Sequence, residues 1–138
     1  MTAPLIEARA LTREFVLRRS WLAGNSPMLR AVDCVDLAVH RGETLGLVGE
    51  SGSGKSTLGR CLTRLIDTTG GTVVFVGQVV TRLETWGLRP FRRAVQMIFQ
   101  DPSSSLNPRR RVGDILSEPL AVHGIRPKRE IPQRLREL

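Results

Sequence analysis

Residues 49–57 read GESGSGKST; they follow the short apolar run ETLGLV at 43–48 and precede LGRCLTRLI at 58–66. Gly49 and Gly54 stand five apart with Lys55 and Ser56 directly after, the spacing of a phosphate-binding P-loop. Each residue type has a reason. Glycines admit backbone conformations closed to other residues, so the N–H groups from Glu50 through Ser51, Gly52, Ser53 and on to Thr57 can turn inward at phosphate oxygens. A helix beginning at Lys55 adds its positive N-terminal end. Lys55 brings a point charge to the β- and γ-phosphates, and the Ser56 hydroxyl suits the Mg²⁺ that bridges them. Beyond the loop, Leu58, Cys61, Leu62, Leu65 and Ile66 recur at the spacing of one helical face, which sets the loop between a strand at 43–48 and a helix. Gly46 and Gly59, outside the motif, read as packing glycines. Four specified positions arise by chance in roughly one in a few hundred chains of this length, so the stretch marks an α/β chain built to bind ATP or a closely related nucleoside triphosphate.

Working outward, residues 5–11 and 35–39 read as strands flanking a loop-like stretch, RRSWLAGNSP, which gives an antiparallel β start. On the C-terminal side, 67–71 closes the helix and 72–80 reads as two strands broken at Gly77-Gln78, a hairpin. A short helical turn at 88–93 leads to a strand at 95–99, which stops at Gln100, Asp101 and Pro102 because proline cannot donate to a ladder. SSSLNPRRR is loop-like. Val112, Ile115, Leu116 and Leu120 then mark a helix that Pro119 kinks or shortens, and a second helix from Pro127 carries Ile131, Leu135 and Leu138 on one face.

The chain has 138 residues, 41% hydrophobic and 25% charged, the balance of one globular domain. No apolar run approaches the ~20 residues of a membrane span, and the N-terminus MTAPLIEARALTREF lacks the basic and apolar regions of a secretory signal; a cytoplasmic location is expected. Cys34 and Cys61 make no disulfide framework. The net charge is +8, carried almost wholly by arginine, since Lys55 and Lys128 are the only lysines. The arginines are scattered, and aromatics are 4% of the chain, so no stacking platform accompanies the charge and no specific nucleic-acid partner is expected.

Four blocks carry a resemblance to the ATP-binding subunits of ABC transporters: Phe15 after LTRE, AVDCVDLAVHRGETLGLVGESGSGKSTLGRCL, TGGTVVFVGQ, and MIFQDPSSSLNPRRRVGDILSEPL. The P-loop block together with SSSLNPRRRVGDILSEPL is similar to the ATPases of oligopeptide, dipeptide and nickel importers. The resemblance implies a P-loop NTPase of ABC ATPase type, with an antiparallel β start, an incomplete parallel-sheet core and the beginning of a helical subdomain. Residues 1–138 then form a single, C-terminally incomplete ATP-binding domain, with 1–100 as β start and P-loop core and 101–138 as Q-loop and helical start. It implies that Phe15 stacks on adenine, an alternative being a core phenylalanine in an edge strand, and that Gln100 is the Q-loop glutamine, completing the Mg²⁺ shell begun by Ser56, an alternative being a turn residue after an apolar strand. Leu106, Val112, Ile115 and Leu116 meet the coupling helix of the membrane subunit or pack internally. The implied partners are transmembrane permease subunits, a second ATP-binding subunit and, indirectly, a solute-binding protein, with the chain peripheral on the inner face of the membrane.

The sequence departs from the pattern where hydrolysis is concerned. A Walker B aspartate with its catalytic glutamate, an LSGGQ-type signature and a switch histidine are not found. Asp67, Asp101 and Asp114 do not follow four apolar residues, and His123 precedes the place of a signature. The resemblance thus implies no catalytic residue within the chain and no hydrolysis by it alone. Without a Walker B neighbour the strand at 43–48 has an open edge, so a marginally stable or aggregation-prone product is expected. Two other readings are a nucleotide-binding fragment without catalysis and a soluble ABC ATPase acting on nucleic acid.

Overall fold

The computed structural model describes residues 3–17, 27–101 and 106–137. Most of the RRSWLAGNSP loop, Pro102 with the serines after it, and Leu138 lie outside the described residues. The chain divides into two compact units, 1–97 and 98–138.

The first unit is built on a four-stranded antiparallel sheet in the order β2-β1-β3-β4. Its strands are β1 (Ile6–Val16), β2 (Met28–Val39), β3 (Gly70–Phe75) and β4 (Gln78–Val79). The two N-terminal strands are roughly twice as long as their apolar cores predict. Ile6 pairs with Val39 and Val16 with Met28, so the ladder continues through LTREFV and MLRAV although those segments are only partly apolar. Bulges interrupt it: Ala10 and Cys34 both have φ of 46°, and their N–H groups are taken by Asp36 Oδ1 at 2.7 Å and Thr12 Oγ1 at 3.1 Å. Side chains thus supply the partners that the bulges remove from the ladder. β1 is an inner strand from Ile6 to Thr12, where β3 lies on its other side; Phe15 lies past that pairing, opposite Leu29 of β2.

The helix α1 (Lys55–Leu62) lays the buried Leu58 and Cys61 against this sheet. Ala8, Leu11, Val32, Val73 and Val80 complete the core with Leu88 and Phe91 of α2 (Leu88–Ala94), and Phe91 meets Phe75 edge to face at 5.3 Å. The helical face predicted to continue through Leu65 stops earlier. Arg64 takes a left-handed φ of 53°, its N–H bonds Cys61 O at 3.1 Å, and Leu65 N–H bonds Arg60 O at 2.9 Å, the paired bonds of a Schellman C-cap. Leu65 is turned half outward, and the Arg64 side chain goes inside instead, bonding Val80 O and Asp67.

The expected strands at 43–48 and 95–99 join no ladder among the described residues. A parallel strand is defined only by its neighbours, and none pairs with these segments, so the parallel-sheet core is correspondingly unformed. Leu45, Leu47 and Val48 stand exposed as a result. A Cβ at Gly46 would touch nothing within 4 Å, and one at Gly59 only Met97 Cε at 3.8 Å, so neither glycine is required by packing.

In the second unit, α3 (Val112–Val122) runs through Pro119 without ending. No α3 residue is buried, so the helical bond that Pro119 cannot make is lost at small cost. A 3₁₀ turn (Lys128–Glu130) follows Pro127 and leads into α4 (Ile131–Glu137), anchored by the buried Ile131.

Candidate functional site

The P-loop lies in the first unit, where Gly54 caps α1 and the preceding residues form an exposed loop. Gly54 has φ of 93° and Gly52 of 82°, values that only glycine adopts freely. Gly54 is fixed for a second reason: a Cβ there would fall 2.2 Å from the carbonyl oxygen of Ala31 on β2. The loop's end is thus pressed against the sheet. Leu58 N–H bonds Gly54 O at 2.8 Å, which starts the helix directly at the glycine, and no side chain caps it. The N–H groups of Lys55, Ser56 and Thr57 belong to the first turn, which has no intrahelical acceptors for them.

The Lys55 ammonium folds back into the loop, donating to Gly49 O at 2.6 Å, to Glu50 O and to Ser53 Oγ at 3.1 Å. All three acceptors are neutral, so its positive charge is held in place without being cancelled. A Cβ at Gly49 would sit 2.9 Å from Ser53 Oγ and 3.9 Å from Lys55 Nζ. A side chain at Gly49 would crowd the Ser53 hydroxyl that accepts from the ammonium. Such a donor set, one lysine beside a row of backbone N–H groups at a helix start, fits the polyphosphate of a nucleotide. The Ser56 hydroxyl in the same turn is a hard oxygen donor of the kind Mg²⁺ takes.

Phe15 is half-buried near the end of β1, opposite Leu29. Residues at i and i+2 share a strand face, and the Arg13 guanidinium lies 4.5 Å from the centroid of the Phe15 ring. Arg13 pairs with Val32, the neighbour of the Ala31 that Gly54 touches. The strand pair β1–β2 therefore carries the aromatic and the P-loop contact together. Sequence reading singled out neither Arg13 nor Ala31. The i, i+2 spacing was a signal for the first, whereas nothing in the sequence marks the second.

Gln100 belongs to the second unit, at an exposed bend. Leu106, Val112 and Leu116 are exposed there, 54%, 70% and 43% respectively, and Ile115 is half-buried; internal packing thus leaves the first three free. Besides the P-loop, the first unit carries a cavity of about 580 Å³ lined by Arg64, Asp67, Leu83, Glu84, Trp86 and Arg92, among others.

Residues 32–137 match the family profile described as ABC transporter. Over 132 residues, 96% of its length, the chain is 46% identical to the glutathione import ATP-binding protein GsiA of Escherichia coli O6:H1 and 45% identical to that of strain K12. The matched stretch is 21% of those relatives, so the chain spans about a fifth of their length. Among solved structures, a bacterial ABC transporter cassette in dimeric form superposes with a TM-score of 0.74 at 25% identity, over 96% of this chain and 54% of the cassette. The protein cbiO1 from Clostridium perfringens, part of the ABC transporter complex cbiONQ, superposes with a TM-score of 0.66 at 22% identity, over 99% of this chain and 49% of its own.

Proposed function

The chain belongs to the ABC transporter family, and on that premise we propose that it is the ATP-binding part of an importer's energy-coupling ATPase, serving uptake of di- or oligopeptides or similar solutes. The observation that supports nucleotide binding is the Lys55 cradle: an uncancelled ammonium fixed by Gly49, Glu50 and Ser53 beside the unsatisfied first turn of α1. The solute class is supported by the 46% identity to a glutathione import protein, glutathione being a small peptide.

In this reading the backbone from Gly49 to Thr57, with Lys55, holds the phosphates, Phe15 stacks on adenine, and Ser56 and Gln100 ligate Mg²⁺. A bound Mg²⁺ would supply charge neutralisation; the chain's own residues bind and orient. The partners are permease subunits, a second ATP-binding subunit and, through the permease, a solute-binding protein. The chain then sits peripherally at the inner face of the membrane; none of the described helices is long and apolar enough to cross it.

Titration with ATP in the presence of Mg²⁺ tests the site. Hydrogen bonds to a charged group are worth about 1.5–3 kcal/mol, so Lys55→Ala is expected to weaken binding by about tenfold or more. Equal affinity of wild type and variant sinks the reading. We read no Walker B carboxylate in the 138 residues, and on that reading binding without turnover is expected; steady phosphate release that Lys55→Ala abolishes overturns that part alone.

A further inference from the structure

We propose that Arg13 is a positioning residue for the base-stacking aromatic: its guanidinium covers one face of the Phe15 ring and holds the ring plane, leaving the opposite face to the base. This rests on the reading of Phe15 as the residue that stacks on adenine.

The geometry is specific. The guanidinium carbon lies 4.5 Å from the ring centroid, within cation–π range. Arg13 Nε is buried with no hydrogen-bond partner among the described residues. A buried donor left unbonded is a cost, here borne by the side chain whose cation lies over the ring. Two residues later on the same strand, the ring opposes Leu29 of β2, the strand whose Ala31 carbonyl meets Gly54. The cation, the ring and the end of the P-loop are therefore carried by one strand pair.

Two effects follow for a bound base. A ring held in one plane costs less side-chain entropy when the base stacks on it. A cation on one face also draws electron density from the ring, which favours an electron-rich purine on the other. Neither effect reaches a ligand that has phosphates and no base.

The test compares Kd for ATP with Kd for inorganic tripolyphosphate, both with Mg²⁺, on the 138-residue chain and its variants. Phe15→Ala is expected to weaken ATP and leave tripolyphosphate unchanged. If it changes neither, the base-stacking reading falls, and the role of Arg13 with it. Arg13→Met, which keeps an unbranched stem, is expected to weaken ATP by about two- to fivefold, the worth of an exposed cation–π contact, with tripolyphosphate unchanged and no added loss in combination with Phe15→Ala. Unchanged ATP affinity in Arg13→Met, while Phe15→Ala weakens it, overturns the proposal and spares the reading of Phe15. An equal loss for both ligands also overturns it, because Arg13 then serves the fold or the phosphates. Arg13→Lys, which retains the charge, is expected to stay within twofold of wild type for ATP; a loss as large as that of Phe15→Ala counts against the proposal even where Arg13→Met does not fold.

Discussion

Glycines of one chain differ sharply in what they are for. Gly54 combines a φ of 93° with a carbonyl 2.2 Å from where a Cβ would stand, so Gly54→Ala must move β2 or abandon the turn. A loss of about 1–3 kcal/mol is expected, together with loss of nucleotide binding, and a denaturation midpoint equal to wild type excludes this account. Gly59 lies inside α1 with only an ordinary contact at 3.8 Å; there Gly59→Ala is expected to raise stability by about 0.5–1 kcal/mol through helix propensity. The motif spacing points to Gly49 and Gly54 because phosphate loops are encoded by neighbours in sequence. It had no means to show that Gly46 faces open space, which depends on what the fold brings near it. The cysteines divide in the same way. Cys34 is exposed and Cys61 fully buried, so a thiol reagent is expected to modify one cysteine in the folded chain and both in denaturant. Burial raises the Cys61 pKa, with Arg13 and Arg64 opposing. The native state therefore keeps a proton that the unfolded state releases first. Stability is full below the unfolded thiol pKa of about 8.5 and falls as pH rises toward the raised folded value. Cys61→Ala is expected to flatten that alkaline slope, and a slope unchanged by the substitution argues against it.

At the scale of elements, the hairpin between β3 and β4 shows how an unfavourable residue is carried by its surroundings. Phe75 pairs with Gln78, so Val76 and Gly77 form a two-residue turn with φ of 48° and 77°, the signs of a type I′ turn. The sequence placed the break at Gly77-Gln78, one residue late, because a β-branched residue is a poor candidate for positive φ. Val76 is 56% exposed and contributes little packing in return. Val76→Asn is expected to stabilise the chain by about 0.5–1 kcal/mol, as turn residues suited to positive φ do; a lower melting temperature for the variant contradicts the turn assignment. The end of α1 was hidden for the same reason. Its C′ position holds Arg64 and not glycine, so the Schellman bonds at 3.1 and 2.9 Å have no sequence marker, and periodicity alone puts Leu65 on the core face. Arg64 is kept by its side chain, which is 8% exposed with bonds to Val80 O and Asp67. Local signals located both elements; their ends were set by tertiary bonds.

Across the whole molecule, local and non-local encoding separate most clearly in the strands at 43–48 and 95–99. Apolar runs predict both, and the antiparallel strands do form, β2 and β4 against neighbours in the chain and β3 against the distant β1. Parallel strands need partners that come from distant sequence, and none of the described residues pairs with these two segments. The consequence is apolar surface: Leu45 is 48% exposed, Leu47 51% and Val48 96% in the first unit, and Ile98 87% and Phe99 43% in the second. Short apolar segments with unpaired backbone groups are templates for pairing with another chain. The net charge of +8 opposes association by repulsion, and salt screens that repulsion over about 8–10 Å at physiological strength. The isolated 138-residue chain is therefore expected to self-associate increasingly as salt is raised, with light-scattering mass rising above 15.3 kDa and a broad thermal transition. A lysine at either exposed position, Val48→Lys or Ile98→Lys, places charge in the segment and is expected to lower the scattering at equal salt. A chain that stays monomeric through the salt series and melts cooperatively shows that these segments are satisfied within the monomer, and removes the argument from open strand edges.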